Sequence, residues 1–390
     1  MASYISSNAN RFYSALESTF GAVASITGAN RIPAVKLGIR QQSDGGARRD
    51  KTGSRTFGGV PTGVRRRTDF DLQTYLTSWD KANAAPAYSP LFQSALGAAP
   101  QRFAGGTVAS ATTEGRLTFG APHGLTAGQG VSVAGEVRFV AAIADANTVQ
   151  LNAAFTALPA TGAMASATVT YQPATELPSL SVFDFWSPTT AVQRILQGAT
   201  VDQLEIAING DYHQFRFSGL ARDVLDSASF AGSVGQLQAF PSEPDLAGFD
   251  YSIVPGHLGQ AWLGVSPTRF CTITGGSVVV KNDLASRTRE FGSCGPKAFA
   301  PGMRTVTAAF DLYGMDNEAT KELYESARQG SPISVMFQLG QVEGQVMGVY
   351  LKSVVPEVPE FDDSDNRLQW KFRASRAQGT IDDEISVAFA

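Results

Sequence analysis

From Arg65 to Thr77 the chain alternates. Phe70, Leu72, Thr74 and Leu76 share one parity, and Asp69, Asp71 and Gln73 share the other. A period of two predicts a strand with one face buried and one face wet. Thr305–Gly314 repeats the Phe-Asp-Leu triplet in the same phase, with Phe310 lying 310 − 70 = 240 residues beyond Phe70. Two further pairs of runs match. Leu180–Phe185 (LSVFDF) resembles Ile333–Leu339 (ISVMFQL) at an offset of 334 − 181 = 153. His213–Ser218 (HQFRFS) resembles Leu368–Arg373 (LQWKFR) at 369 − 214 = 155. One set of strands used twice accounts for all of these.

The segments between the strands repeat as well. Arg31–Arg40 reads as a strand that Pro33 confines to an edge or a strand start. A basic, glycine-rich loop follows over Gln41–Val64, with Arg48, Arg49, Lys51 and Arg55. Its counterpart, Asn282–Val306, carries Arg287, Arg289, Lys297 and Arg304. Loops of this length without apolar periodicity point to disorder or to function. A short helix comes next in each copy. The first is capped by Ser89, carries Pro90 in its first turn and stops at Gly97. The second is capped by Asp316, has Ala319, Leu323 and Ala327 as its stripe, and stops at Gly330. The spacing of Phe12, Leu16 and Phe20 predicts another amphipathic helix over Asn8–Phe20.

The change of offset leaves 240 − 153 = 87 extra residues in the first copy. Ala104–Gln172, rich in Ala, Gly, Thr and Val and poor in charge, has the texture of a small all-β module. The expected division is an N-terminal arm with a helix over 1–30, a first domain over 31–225 interrupted by the module at 104–172, a linker over 226–264, and a second domain over 265–390. The module is expected to project outward and to be removable with the fold intact, because loop length costs little once its ends are close.

Composition narrows the chemistry. At 43% hydrophobic and 17% charged over 390 residues the chain is globular, and a net charge of −4 does not advertise nucleic acid or membrane as a partner. Cys271 and Cys294 stand in no CxxC or Cys/His cluster and read as ordinary thiols. No nucleophile elbow, P-loop, GxGxxG or HExxH occurs. His123, His213 and His257 lie in unrelated contexts, His123 in a turn and His213 in a packed strand. The acidic run Glu357–Asn366 lacks the Gly and the distal Glu of a calcium loop and reads as a solvated hairpin turn. The expectation is a protein without catalytic residues, metal or cofactor, and not an enzyme. The first residues are not expected to form a signal peptide, and no apolar run is long enough to span a membrane as a helix.

The N-terminal YISSNANRFYSALESTFGAV…NRIPAVKL, followed by strand, long loop, strand, short helix and hairpin, and then by a second copy of that unit, resembles the major tail tube proteins of long, non-contractile-tailed bacteriophages. The HGLTAGQGVSV…DANTVQL stretch is similar to a small β-module that recurs in phage virion proteins. The resemblance implies a mainly β fold: two tandem β-sandwich tube domains, each with a short α-helix, plus the inserted small all-β module. It implies a structural virion protein, made in the bacterial host cytoplasm and resident in the tail.

In that family sheets of neighbouring subunits line up into a closed inner barrel. Two fused domains per chain imply a trimeric ring of pseudo-sixfold symmetry, stacked into a tube through which DNA passes without specific binding. The implied partners are further copies of the chain, the tape measure protein in the channel during assembly, and the tail terminator and distal tail proteins; no membrane anchor is implied. In this picture Asp69, Asp71 and Asp311 line the channel and repel DNA phosphate. Arg48, Arg49, Lys51, Arg55, Arg287 and Arg289 on the long loops, with Glu357, Glu360, Asp362, Asp363 and Asp365 on the acidic turn, bridge one ring to the next. Other readings stand beside it: a terminator or distal tail protein, a carbohydrate-binding β-protein, and a hydrolase built on the acidic run.

Overall fold

Residues 4–44, 50–51, 53–56, 59, 65–81, 83–245, 251–287 and 290–390 are described by the computed structural model. The chain opens with β1 (Asn10–Leu16), β2 (Arg31–Ile32), β3 (Ala34–Asp44), β4 (Arg65–Tyr75) and helix α1 (Ser89–Leu96). It enters a sheet as β5 (Gln101–Phe103) and leaves it for six strands: β6 (Gly106–Ala111), β7 (Arg116–Phe119), β8 (Gly130–Val133), β9 (Glu136–Ile143), β10 (Thr148–Leu151) and β11 (Met164–Ser166). It returns as β12 (Thr168–Tyr171) and continues through β13 (Leu180–Trp186), β14 (Arg194–Ile208), β15 (Gln214–Ala221) and β16 (Asp223–Asp226). Next come β17 (Gly259–Gly264), β18 (Thr268–Phe270), β19 (Ile273–Lys281), a two-residue pair β20 (Ala285–Ser286) and β21 (Phe299–Ala300), β22 (Thr305–Tyr313) and α2 (Glu318–Gln329). The last strands are β23 (Ile333–Leu339), β24 (Met347–Val355), β25 (Glu360–Asp362), β26 (Gln369–Ala377) and β27 (Ser386–Phe389).

One pairing order occurs twice. The first unit runs β2-β1-β13-β14-β15-β4-β3, and the second runs β18-β17-β23-β24-β26-β22-β19, antiparallel throughout. Its irregularities repeat too. A register break falls between Ala34 and Lys36 in one unit and between Ile273 and Gly275 in the other. A second falls between Leu180 and Val182 in one and between Ile333 and Val335 in the other. Beside the first break Ala34 faces Thr74 and Ile273 faces Leu312. Leu312 therefore takes the place of Thr74, and Phe310 that of Leu72. The two Phe-Asp-Leu triplets lie in corresponding strands but two residues out of step. A slip of two, the period of a strand, keeps every side chain on its face, so the sequence pattern survives it.

Each unit is a sandwich whose two sheets share one strand path, β14 in the first unit and β24 continued by β25 in the second. The N-terminal half of β14 lies in the outer sheet between β13 and β16, while its C-terminal half lies in the inner sheet between β15 and β19. Both helices pack into the space between the sheets, through Leu91 and Phe92 of α1 and Leu323 and Ala327 of α2. This core runs unbroken from one unit to the other; the Phe389 ring lies 5.2 Å from Phe92. Two seams join the units, β14 with β19 in the inner sheet and β12 with β27 in the outer.

Four expectations require correction. The helix over Asn8–Phe20 is the strand β1, paired along its length with β13 from Asn10 opposite Trp186 to Leu16 opposite Leu180. Phe12 points into the main core and Tyr13 into a second cluster on the other side, so both faces are buried. A short apolar run buried on two sides carries no period to distinguish strand from helix. The module ends earlier than Gln172: β12 pairs with β5 and β27, and Val169 and Tyr171 belong to the main core. The second unit begins with β17 rather than at residue 265, since β17 and β18 pair as β1 and β2 do. The helices start one residue away from the expected caps. Tyr88 precedes α1 without a side-chain bond, and Asn317 caps α2 by accepting from the Thr320 N–H at 2.9 Å.

The inserted strands β6–β11 close into a barrel around their own core, which includes Val108, Leu117, Phe119 and Val149. The barrel does not project free. Val137, Phe139 and Ala153 pack on Trp262, Met336 and Tyr350 of the second unit's outer sheet. On the first unit the corresponding face, Tyr13, Phe183, Phe185 and Ile195, is covered instead by Val23, Ile26, Phe230, Leu237 and Phe240. One outer face thus has two unrelated covers, and its burial on both sides explains why β13 and β23 are buried almost along their length instead of on alternate residues.

Candidate assembly surface

The inner sheets of the two units merge at β14–β19 into one surface ordered β3-β4-β15-β14-β19-β22-β26, with β25 following β24 along the far side of β26. Alternation sorts its side chains. Phe70, Leu72, Leu204, Ile206, Phe215, Phe217, Val278, Val280, Phe310 and Phe372 enter the core. Asp69, Asp71, Glu205, Arg216, Asp311, Lys371 and Arg373 lie on the opposite, polar face, as their intervening positions require.

Asp69, Asp71 and Asp311 therefore share one face, and each has a cation beside it. Arg216 Nη2 donates to Asp71 Oδ2 at 2.7 Å, and Arg67 Nε donates to Asp69 Oδ1 at 2.9 Å. Arg373 Nη1 lies 3.2 Å from Asp311 Oδ1. The bond and charge of Asp71 raise the pKa of Arg216 above its ordinary value. A chequered face of this kind repels phosphate less than bare carboxylates would, since each pair is close to neutral at a distance.

The acidic run is the hairpin between β25 and β26 together with the strand edge before it. Glu360 stands opposite Lys371. Lys371 also donates to Asp362, whose carboxyl it holds well below the usual range. Glu357, Asp363 and Asp365 are exposed, and the Glu357 N–H donates to Ser375 Oγ at 3.3 Å. Lys51 and Arg55 are exposed, whereas Arg48, Arg49 and Arg289 lie outside the described residues. Arg287 pairs with Glu290 at 2.7 Å. Its loop rests on the first unit: Asn282 Nδ2 donates to Ala95 O at 2.9 Å, the Arg66 N–H donates to Cys294 O at 2.9 Å, and Phe299 meets the Phe20 ring at 5.4 Å.

Neither edge of this surface is flanked by another strand among the described residues: β3 pairs with β4 alone, and β25 with β26 alone. They are the counterparts of the two strands joined inside the chain. Phe215 faces Thr74 and Ile206, and Trp370 faces Leu312 and Phe361, so β25 continues β24 where the last residues of β14 stand in the first unit.

No family model matches this sequence, and no curated protein matches it. Among solved structures the chain is similar to the SPP1 tail tube, over 33% of its own length and 81% of that chain, at 14% identity and a TM-score of 0.27.

Sequence reasoning did not mark several buried polar residues that tie neighbouring parts of the fold together. Glu17 is buried and accepts from the Gly21 N–H (2.7 Å), the Ser179 hydroxyl (2.8 Å), the Ser181 hydroxyl (2.8 Å) and the Gly198 N–H (2.7 Å), pinning the end of β1 to β13 and β14. Arg138, fully buried, donates to Ala154 O, Val137 O and Glu136, with its guanidinium 4.4 Å from the centre of the Trp262 ring. Arg11 and Tyr13 both donate to Glu243, tying residues 226–245 to the first unit. A single charged residue beside an apolar strand looks alike whether it faces water or a buried partner, so none of these carried a signal. His213 is buried with its Nε2 3.0 Å from Leu258 O, and burial lowers its pKa. His123 ties a turn, its Nδ1 accepting from the Leu125 N–H at 2.9 Å and its Nε2 lying 3.1 Å from Asp145 O. The described residues contain no group of three or more His, Cys, Asp and Glu able to hold a metal ion.

Proposed function

We propose that this chain is a structural protein of a phage tail, which polymerises as stacked rings into the tube that conducts DNA. The supporting observation is the doubled unit with its internal seam. One inner sheet crosses both units, carries a polar face, and ends in two edges that are counterparts of the edges already joined at β14–β19. A contact between unlike surfaces, repeated head to tail, closes into a ring when the rotation per step allows it. Two units per chain give three chains to a pseudo-sixfold ring. The polar face with Asp69, Asp71 and Asp311 then lines the hole, and its paired charges leave a passing duplex without a continuous basic track to adhere to. The partners of the chain are its own copies and, at the tube's ends and within it, the terminator, distal tail and tape measure proteins.

Negative-stain electron microscopy of the purified protein at rising concentration tests this. Hollow filaments of indefinite length are expected. Single rings that never stack would point to a terminator or distal tail role, and monomers at every concentration would overturn the proposal.

A further inference from the structure

The two open edges have a definite partner in one another. In the first unit Ile206 of β14 faces Val278 of β19, and both are fully buried. Their counterparts at the open edges are not. Phe361, which takes the place of Ile206, is 55% exposed, with its ring held against Trp370 at 5.3 Å and Tyr324 at 5.9 Å. Ile39 takes the place of Val278, since Ile39 faces Phe70 where Val278 faces Ala308; it is only half-buried. The same two apolar positions are sealed at the internal seam and open at the ends of the chain.

We infer that β25 of one copy pairs with β3 of the next in the register of β14 with β19, setting Phe361 against Ile39 and Glu360 against Arg40. This rests on the ring reading above and names the contact that closes it. The charge agrees with the register. Glu205 faces Val279 inside the chain, and the corresponding pair between copies is Glu360 with Arg40, opposite in sign and both exposed. The Asn282 N–H donates to Asp202 O at 2.8 Å, so even-numbered residues of β14 turn their backbone towards β19. By that alternation Phe361 and Ile39 form a hydrogen-bonded pair. Glu360 and Arg40 form the closer, non-bonded pair, with Cα atoms about 4.5 Å apart. Glu357 takes the place of Asp202, whose carboxylate accepts from the Leu284 N–H at 2.8 Å. Pro359 takes the place of Leu204 and lacks an N–H, so the seam between copies has one ladder bond fewer than the seam within the chain. The outer sheet weakens it further, because β23 is preceded by no strand corresponding to β12 among the described residues.

Cysteine cross-linking reads this register directly. In a background with Cys271→Ser and Cys294→Ser, the pair Arg40→Cys and Glu360→Cys is oxidised at assembling concentrations and run without reductant. The internal pair Glu205→Cys and Val279→Cys serves as a geometric standard. Covalent species of two and three chains are expected, absent when Arg40→Cys is replaced by Ile39→Cys, whose side chain points to the other face. A second test uses no cysteine: Arg40→Glu sets two carboxylates opposite each other and is expected to raise the assembling concentration, with recovery on adding Glu360→Arg. Tubes that form while the 40/360 pair stays unlinked and the internal standard oxidises would overturn the register and leave the tube reading standing. Cross-linked rings that never extend would uphold the seam and overturn the tube. Neither cross-links nor assembly, with circular dichroism unchanged, would overturn both.

Discussion

Replacing Trp262 by Ala tests whether the inserted barrel is a cover for the second unit. Trp262 is nearly buried, lies under the Arg138 guanidinium at 4.4 Å and packs with Met336, Tyr350, Val137 and Phe139. Truncating a buried aromatic residue costs about 3–5 kcal/mol, of which a desolvated cation–π contact accounts for about 2 kcal/mol. The loss falls on the joint alone. The barrel keeps its own core around Val108, Leu117 and Phe119, and the sandwich keeps the core around Phe92, Phe310 and Phe389. The barrel should therefore undock before anything else unfolds. The reporter is the Val137 amide, which donates to Gln338 Oε1 across the joint at 2.9 Å. Hydrogen exchange followed by mass spectrometry should show that amide and its neighbours in β9 and β23 exchanging about a hundredfold faster for a local loss of about 3 kcal/mol. Peptides covering Phe215–Phe217 should be unchanged. Equal loss of protection across both regions, or none in β9, would refute a separable joint.

Three further outcomes follow from the same contacts. Deleting residues 104–167 with a short Gly/Ser bridge should give an aggregating protein, because the Trp262–Met336–Tyr350 face loses its cover; solubility after expression checks it, and a soluble monomer would restore the expectation of a dispensable module. Glu17→Gln should cost about 2–3 kcal/mol, since its amide NH2 replaces an oxygen that accepts from two of the four donors; the urea midpoint measures it. Glu243 is pushed up by burial, but the bonds from Arg11 and Tyr13 outweigh this and hold its pKa below the ordinary 4.5. A carboxyl with a depressed folded pKa stabilises above its unfolded pKa and loses that contribution as pH falls through the folded value. Residues 226–245 should accordingly become protease-sensitive as pH drops below 4.5, while the inner strands stay protected.

The repeat was legible because strand parity survives small slips. The Phe-Asp-Leu triplets led to corresponding strands even though Phe310 matches Leu72 rather than Phe70. The mainly β fold and the all-β character of the inserted module followed from alternation and glycine turns, and both short helices from their proline and glycine boundaries. What failed was whatever depended on a distant cover. Phe12 and Leu16, four residues apart, share a face in a strand as they would in a helix, and with Tyr13 buried on the other side no polar face marked a period of two, so the strand read as a helix. The joint between barrel and outer sheet was not legible because nothing in Val137 or Phe139 names Trp262 as the surface beneath them. The acidic turn was visible as charge, but its position at an open sheet edge depends on pairings of β26 made far along the chain.

A cryo-electron-microscopy cross-section of the assembled protein tests the central claim most directly. A threefold ring of six near-equal sectors is expected, with the face bearing Asp71, Glu205 and Asp311 turned to the hole and β25 of each chain against β3 of the next. A particle in which that face points outward, or in which chains meet through the inserted barrels while both edges stay open, would contradict it.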